Sequence, residues 1–516
     1  MKSKSPRQGN SKSTNSCVST GRLLSSRTTR TSSQKHSNVS AIDKIPLKGY
    51  QEKGVRWLLE HPYAALFLDP GLGKTLCVLL AFWLLRKRGY VDALVVVAPL
   101  KPCYQVWPAE VVKWGFEFKV ANLHENRESV REAHDVYVIN NSYQSIEFLR
   151  AEIELLRKRH ANVWLVVDES HHFKSKTSDR SRYIESILQC FGRRTILTGT
   201  PAAEGYMDLF GQMYLLDLGQ RLGKFITHFR QQFFLTLDPE GNPWNPIITL
   251  EDGRQLKRPK PTFFVYVPKP KCDVLIEKKI KDVCLRFSDK DLGLEPWTTI
   301  PRYIDLPPDA RRVYDELEGN FIALARNVAD EELLVDASNA GVLGLKLRQL
   351  ANGGLKRAAE DPWHLHYEKA EAVLSLLEEL NGKPLLVAYE FHHDRDRLLK
   401  VLGKHTPFVD GTVNNQLAMR HMDEFNEGRH SALLVQSSMM EGLNLQEICH
   451  HVCWHSLTWK LTHYIQLIKR VHRLGQKHKV LVYHLIARNT RDERVAGVLA
   501  RKDRSQKKLC DALRQE

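Results

Sequence analysis

Apolar positions along the chain fall into two kinds of run. Short apolar runs, several of them β-branched, occupy 64–68, 93–98, 135–139 (opening on Asp135), 163–167 and 195–197 (opening on Thr195), and again 384–388 and 433–436 (closing on Gln436). Runs of this length without polar alternation are expected of strands covered on both faces, as in a parallel sheet. Longer stretches, either apolar throughout or apolar at helical spacing, lie at 50–58, 76–85, 207–229, 308–318 and 340–350. Strands alternating with helices predict an α/β fold built on parallel sheets. Prolines at 239, 243, 246, 259, 261, 268 and 270 mark a loop-rich stretch between the two groups of strands. At 516 residues the chain has room for about two to four domains.

The first strand and the apolar helix after it are joined by Leu68-Asp69-Pro70-Gly71-Leu72-Gly73-Lys74-Thr75. Strand, glycine-rich turn and helix form the setting of a phosphate-binding loop. Gly71 and Gly73 let backbone N–H groups face phosphate oxygens, and the helix N-terminus adds positive potential. Lys74 is placed to reach the β- and γ-phosphates, and the Thr75 hydroxyl to hold magnesium. The loop departs from the strict motif because Leu68 stands where a first glycine belongs.

The next strands end in polar residues. The run 163–167 leads into Asp168-Glu169-Ser170-His171, and 195–197 leads into Thr198-Gly199-Thr200-Pro201. Carboxylates at the C-terminal end of a buried strand lie where open α/β sheets bind ligands. Asp168 is a candidate magnesium ligand, and Glu169 a candidate to orient and deprotonate the attacking water. Acids and threonines at strand ends also cap helices, but successive ends of this kind favour phosphate chemistry.

In the second half, Asp410-Gly411-Thr412, Arg420 and Phe425-Asn426 precede Ser437-Ser438-Met439-Met440-Glu441-Gly442-Leu443-Asn444-Leu445. Farther on comes Gln466-Leu467-Ile468-Lys469-Arg470-Val471-His472-Arg473-Leu474-Gly475-Gln476. Spacings of four and three put Gln466, Arg470 and Arg473 on one face of an expected helix. Two guanidiniums and an amide there suit a γ-phosphate held from across a cleft.

In this order, G-L-G-K-T, D-E-S-H, L-T-G-T-P and Q-x-x-x-R-x-x-R-x-G-Q resemble Swi/Snf-type DNA-dependent ATPases of helicase superfamily two. The resemblance covers residues 45–490. It implies two RecA-like parallel-sheet motor domains in tandem, with helical insertions. ATP would sit between the domains with Mg2+, held by Thr75 and by Asp168 through water. It also implies that Gln51 recognises adenine, that Gly442 belongs to the nucleotide site, and that Arg470 and Arg473 act as arginine fingers. The expected catalytic set is Lys74, Asp168, Glu169, Gln466, Arg470 and Arg473. The methionines and glutamate at 439–441 replace an alanine-and-glycine run of the family.

The expected divisions are a Ser/Thr-rich basic tail at 1–40, a first motor domain at 41–225 and insertions at 226–365. A second motor domain at 366–495 and a basic C-terminal tail at 496–516 complete them. Residues 1–40 hold eight Lys or Arg, seventeen Ser or Thr and no Asp or Glu, a composition expected to be disordered. It fits a solvated tail, a nucleic-acid-binding arm or a transit peptide.

A net charge of +16 favours a polyanionic partner, nucleic acid before an anionic membrane. No apolar run reaches the roughly 20 residues of a membrane span, and the nine cysteines lack paired spacing. Cys449-His450-His451-Val452-Cys453, with His455, offers half a zinc site, but it falls where an apolar strand is expected.

The function expected is an ATP-dependent DNA translocase that looks like a bare motor, as in compact bacterial or viral members of the family, acting on DNA as a monomer, duplex preferred and single strands possible. The alternatives are a strand-separating RNA or DNA helicase and a nucleic-acid scaffold with a vestigial ATPase. Its place would be the cytoplasm, or a host's cytoplasm, for a bacterial or viral source and the nucleus for a eukaryotic one.

Overall fold

A computed structural model describes residues 45–249, 254–261, 263–288, 291, 293–327, 333–355, 363–439 and 444–513. The tail expected at 1–40 and Gly442 lie outside the described residues. The first sheet has seven strands, all parallel. Their order is Cys284–Phe287, Tyr63–Leu68, Arg193–Leu197, Val163–Val167, Ala93–Ala98, Val136–Asn140 and Val120–Asn122. Every residue of Ala93–Ala98, Val136–Asn140 and Val163–Val167 is buried, as their unbroken apolar runs require.

The second sheet has six parallel strands in the order Thr298–Ile304, Leu481–Ala487, His451–Trp454, Leu385–Tyr389, Ala432–Gln436 and Phe408–Val409. Two parallel α/β sheets in tandem are the RecA-like architecture expected. The Cys/His cluster at 449–453 largely forms the buried strand His451–Trp454.

Residues 226–365 are more than an insertion between the sheets. Cys284–Phe287 completes the first sheet and Thr298–Ile304 forms the edge of the second, so the chain passes from one lobe to the other between Phe287 and Thr298. A ribbon also rises here, with Phe234–Leu237 antiparallel to Val265–Pro268 and Ile247–Thr249 to Gln255–Lys257. The helix expected over 207–229 is broken into Asp208–Asp217 and Ile226–Phe233. Leu218 and Gly219 adopt φ of 57° and 86°, and the Asp217 carboxylate accepts the Gly219 N–H at 2.8 Å, which ends the first piece.

The C-terminal residues are not a tail. Arg491–Ala512 is one helix that joins both lobes. Val495 and Leu499 enter the core of the second lobe, whereas Leu509 and Leu513 enter that of the first. Its start is fixed by Asp492, whose buried Oδ2 accepts from Lys369 Nζ at 2.5 Å and from the Ala487 N–H at 3.1 Å.

Candidate active site

A cleft of about 540 Å³ opens between the lobes at the C-terminal ends of the first sheet's strands. Its floor is the turn after Tyr63–Leu68. Gly71 and Gly73 adopt φ of 87° and 79°, the left-handed region in which glycine carries no steric cost. Gly73 is also the N-cap of the helix Lys74–Lys87, so the N–H groups of that first turn face the cleft. Gln51 braces the turn: its Nε2 donates to Leu72 O at 3.3 Å, and its Oε1 accepts the Lys48 N–H at 3.0 Å. A Cβ on Gly73 would lie 2.5 Å from that Nε2. Lys74 Nζ donates to Leu68 O at 3.0 Å, and Thr75 lines the cleft beside it.

Facing the lysine are Asp168 and Glu169. The indole of Trp107, fully buried, donates from Nε1 to Asp168 Oδ2 at 3.1 Å, and the Glu169 N–H reaches Oδ1 at 3.0 Å. Glu169 itself has φ 48°, an uncommon conformation for a side-chain-bearing residue and one often found at functional sites. Its Oε2 accepts from Thr198 Oγ1 at 3.4 Å and lies 3.2 Å from His171 Nδ1. Burial and the adjacent Glu169 charge push Asp168 up to about 6. Burial acts on Glu169 as well, but the His171 hydrogen bond and the Lys74 charge hold it down to about 2. The two carboxyls titrate as a pair, in which burial favours a protonated Asp168 and the His171 hydrogen bond an ionised Glu169.

The opposite wall comes from the second lobe: Asn444, Gln466, Arg470, Arg473 and Leu474 line the same cleft. Arg473 Nε lies 3.4 Å from the position of a Cβ on Gly71, so the guanidinium rests against the glycine turn. One expectation needs correcting. The helix that carries Gln466 runs from Leu461 to Ile468, so Arg470 and Arg473 sit in the turns beyond it. The Arg470 carbonyl accepts the Leu445 N–H at 3.2 Å, and Arg470 and Val471 donate to the carbonyls three residues back. The ladder tightens and stops there, yet all three side chains still reach one cleft.

The donor set suits a magnesium nucleotide: a glycine cradle and helix N-terminus for phosphate, with a hydroxyl and a crowded carboxylate for a hard cation. Every site residue singled out in the sequence other than Gly442 lines this cleft. The reading missed Asn444, two residues from Gly442 in the same block, and the wall of Gln105, Lys113 and Trp114 beside Gln51. It also missed the role of Trp107, whose indole donates to Asp168.

The model of the SNF2-related domain matches residues 50–352, and that of the helicase conserved C-terminal domain matches residues 368–475. The chain belongs to the SNF2-related family. It is an ATP-dependent enzyme of the helicase class. Among its relatives is protein p41 of Acyrthosiphon pisum secondary endosymbiont phage 1, 27% identical over 86% of this chain and 93% of that one. An uncharacterized ATP-dependent helicase of Mycoplasma pneumoniae is 24% identical, over 88% of this chain and 41% of that protein. The human DNA annealing helicase and endonuclease ZRANB3 is 24% identical, over 89% of this chain and 40% of that protein. The SNF2-related chain thus spans about two fifths of the length of the latter two.

Proposed function

We propose that this SNF2-related chain is a DNA translocase that converts ATP hydrolysis into stepping along duplex DNA and remodelling of what is bound there. The observation that carries the reading is the two-sided cleft, with Lys74, Asp168 and Glu169 on one lobe and Gln466, Arg470 and Arg473 on the other. A site divided in this way links the presence of a γ-phosphate to the spacing of the lobes. In this reading Lys74 and the glycine turn hold the phosphates, and Gln51 reads adenine at the mouth of the cleft. Glu169 orients the water and takes its proton. Arg470 and Arg473 neutralise charge that builds on the transferred phosphoryl group, an effect worth roughly 10³–10⁵ in rate in related systems. A magnesium ion between Thr75 and Asp168 would offset the phosphate charge.

DNA as the track is supported by the net charge of +16 and by the likeness to ZRANB3, a DNA annealing helicase and endonuclease. The reading is tested by ATP-driven displacement of a third strand from a DNA triplex, with Lys74→Ala as control. Displacement by the native chain alone supports translocation. ATP turnover without displacement, or unwinding of a simple duplex instead, removes it.

A further inference from the structure

A second cavity, of about 240 Å³, borders the same glycine turn and shares no lining residue with the nucleotide cleft. It lies where the first lobe, the second lobe and the C-terminal helix meet, and Asp69, Arg286, Trp297, Lys469, Gln506 and Cys510 are on its walls. Asp69, two residues before Gly71, is clasped from both lobes. Its Oδ1 accepts from Arg286 Nη2, and its Oδ2 accepts from Lys469 Nζ at 2.9 Å. Arg286 Nη1 also donates to Phe67 O at 2.8 Å, which fixes the first-lobe half of the cluster to the strand that leads into the turn. Asp69, Arg286 and Lys469 are 7%, 5% and 4% exposed, so the contact is desolvated and little screened by salt.

Lys469 is the residue before Arg470, and it lies just past the end of the helix at Ile468. The second lobe therefore touches one short loop twice, through Lys469 on Asp69 and through Arg473 against Gly71. His472 Nε2, 2.8 Å from Glu295 O, and Lys469 Nζ, 5.4 Å above the Trp297 ring, hold the turn to the crossover between the lobes.

We propose that Lys469 is a positioning residue for hydrolysis, whose buried ion pair with Asp69 docks the turn bearing Arg470 and Arg473 onto the phosphate loop from outside the nucleotide cleft. This rests on the finger reading of those arginines. A loop and an arginine pair presented by different lobes have no covalent link to set their spacing, and a displacement near 1 Å at such a site costs about a hundredfold in rate. Lys469 supplies the missing registration, and only when the lobes are together.

The test measures kcat, the KM for ATP, nucleotide affinity and thermal melting on the full chain carrying Lys469→Met, Lys469→Arg, Arg473→Ala or Asp69→Asn with Lys469→Met. Lys469→Met is expected to lower kcat about a hundredfold with KM and nucleotide affinity little changed, and Lys469→Arg to recover much of it. In Lys469→Met the Asp69 carboxylate keeps Arg286 as its partner, so the fold is expected to survive, and the double variant removes the other half of the interlobe contact as well. Its kcat is expected to stay as low as that of Lys469→Met. Recovery of kcat in the double variant, or native kcat in Lys469→Met, overturns the proposal. Native kcat in Arg473→Ala instead overturns the finger reading beneath it. If Lys469→Met does not fold, the double variant alone decides.

Discussion

Trp107→Phe removes one N–H from the site and keeps most of the ring. In the native protein that N–H is, among the described residues, one of two donors to the buried Asp168 carboxylate; the other is the Glu169 backbone N–H on the opposite oxygen. A hydrogen bond to a charged group contributes about 1.5–3 kcal/mol, and one pKa unit corresponds to about 1.4 kcal/mol. Losing the indole donor should therefore raise the Asp168 pKa by roughly one to two units above its native value of about 6. Protonated Asp168 cannot hold a cation, so the acid limb of kcat/KM, which reports the free enzyme, should move from near pH 6 toward pH 7–8. At pH 7 the variant should lose about two- to tenfold in kcat/KM and recover near pH 9. The assay is steady-state ATP hydrolysis from pH 5.5 to 9, with magnesium titrated at each pH. An unmoved acid limb in a folded variant would refute the assigned role of Trp107, and a loss equal at every pH would point to packing alone.

Gly73→Ala should weaken nucleotide binding, because a side chain at φ 79° strains the turn and its Cβ, 2.5 Å from Gln51 Nε2, displaces that brace; native affinity for a fluorescent ATP analogue would contradict this. Removal of residues 491–516 should leave the chain insoluble or markedly less stable, since Val495, Leu499 and Leu509 fill the cores of both lobes; a cooperative melt near the native temperature would count against that packing. Acid should destabilise the second lobe. Burial pulls His455 down to about 3 and His366 and His484 down to about 4, and His455 Nε2 and His366 Nδ1 meet no hydrogen-bond partner among the described residues. The unfolded chain, with ordinary histidines near pH 6.5, takes up protons first, so stability is complete above about pH 6.5 and declines as pH falls toward 4. A melting temperature that is flat from pH 7.5 to 5 would exclude this.

The strands buried on both faces were legible because nothing polar interrupts them, and Ala93–Ala98 and Val163–Val167 fall within the runs read from the sequence. Three others were hidden by their surroundings. Cys284–Phe287 carries Arg286, whose charge is met by Asp69 from 217 residues away. Thr298–Ile304 contains Pro301 and polar residues, which an edge strand tolerates because one side needs no partner. Leu481–Ala487 carries His484, which burial keeps uncharged well below neutral pH. The nucleotide residues were readable for a different reason: phosphate chemistry constrains residue type and local spacing together. Lys469 and Trp107 had no such local signal, since each acquires its role from a partner that only the fold brings near.

The most direct measurement is ATP turnover by the purified chain with no nucleic acid, duplex DNA, single-stranded DNA and RNA in turn, and Lys74→Ala alongside. A duplex-tracking motor should be stimulated most strongly by duplex DNA, with Lys74→Ala silent throughout. Stimulation confined to single strands or RNA, or turnover indifferent to every nucleic acid, would contradict it.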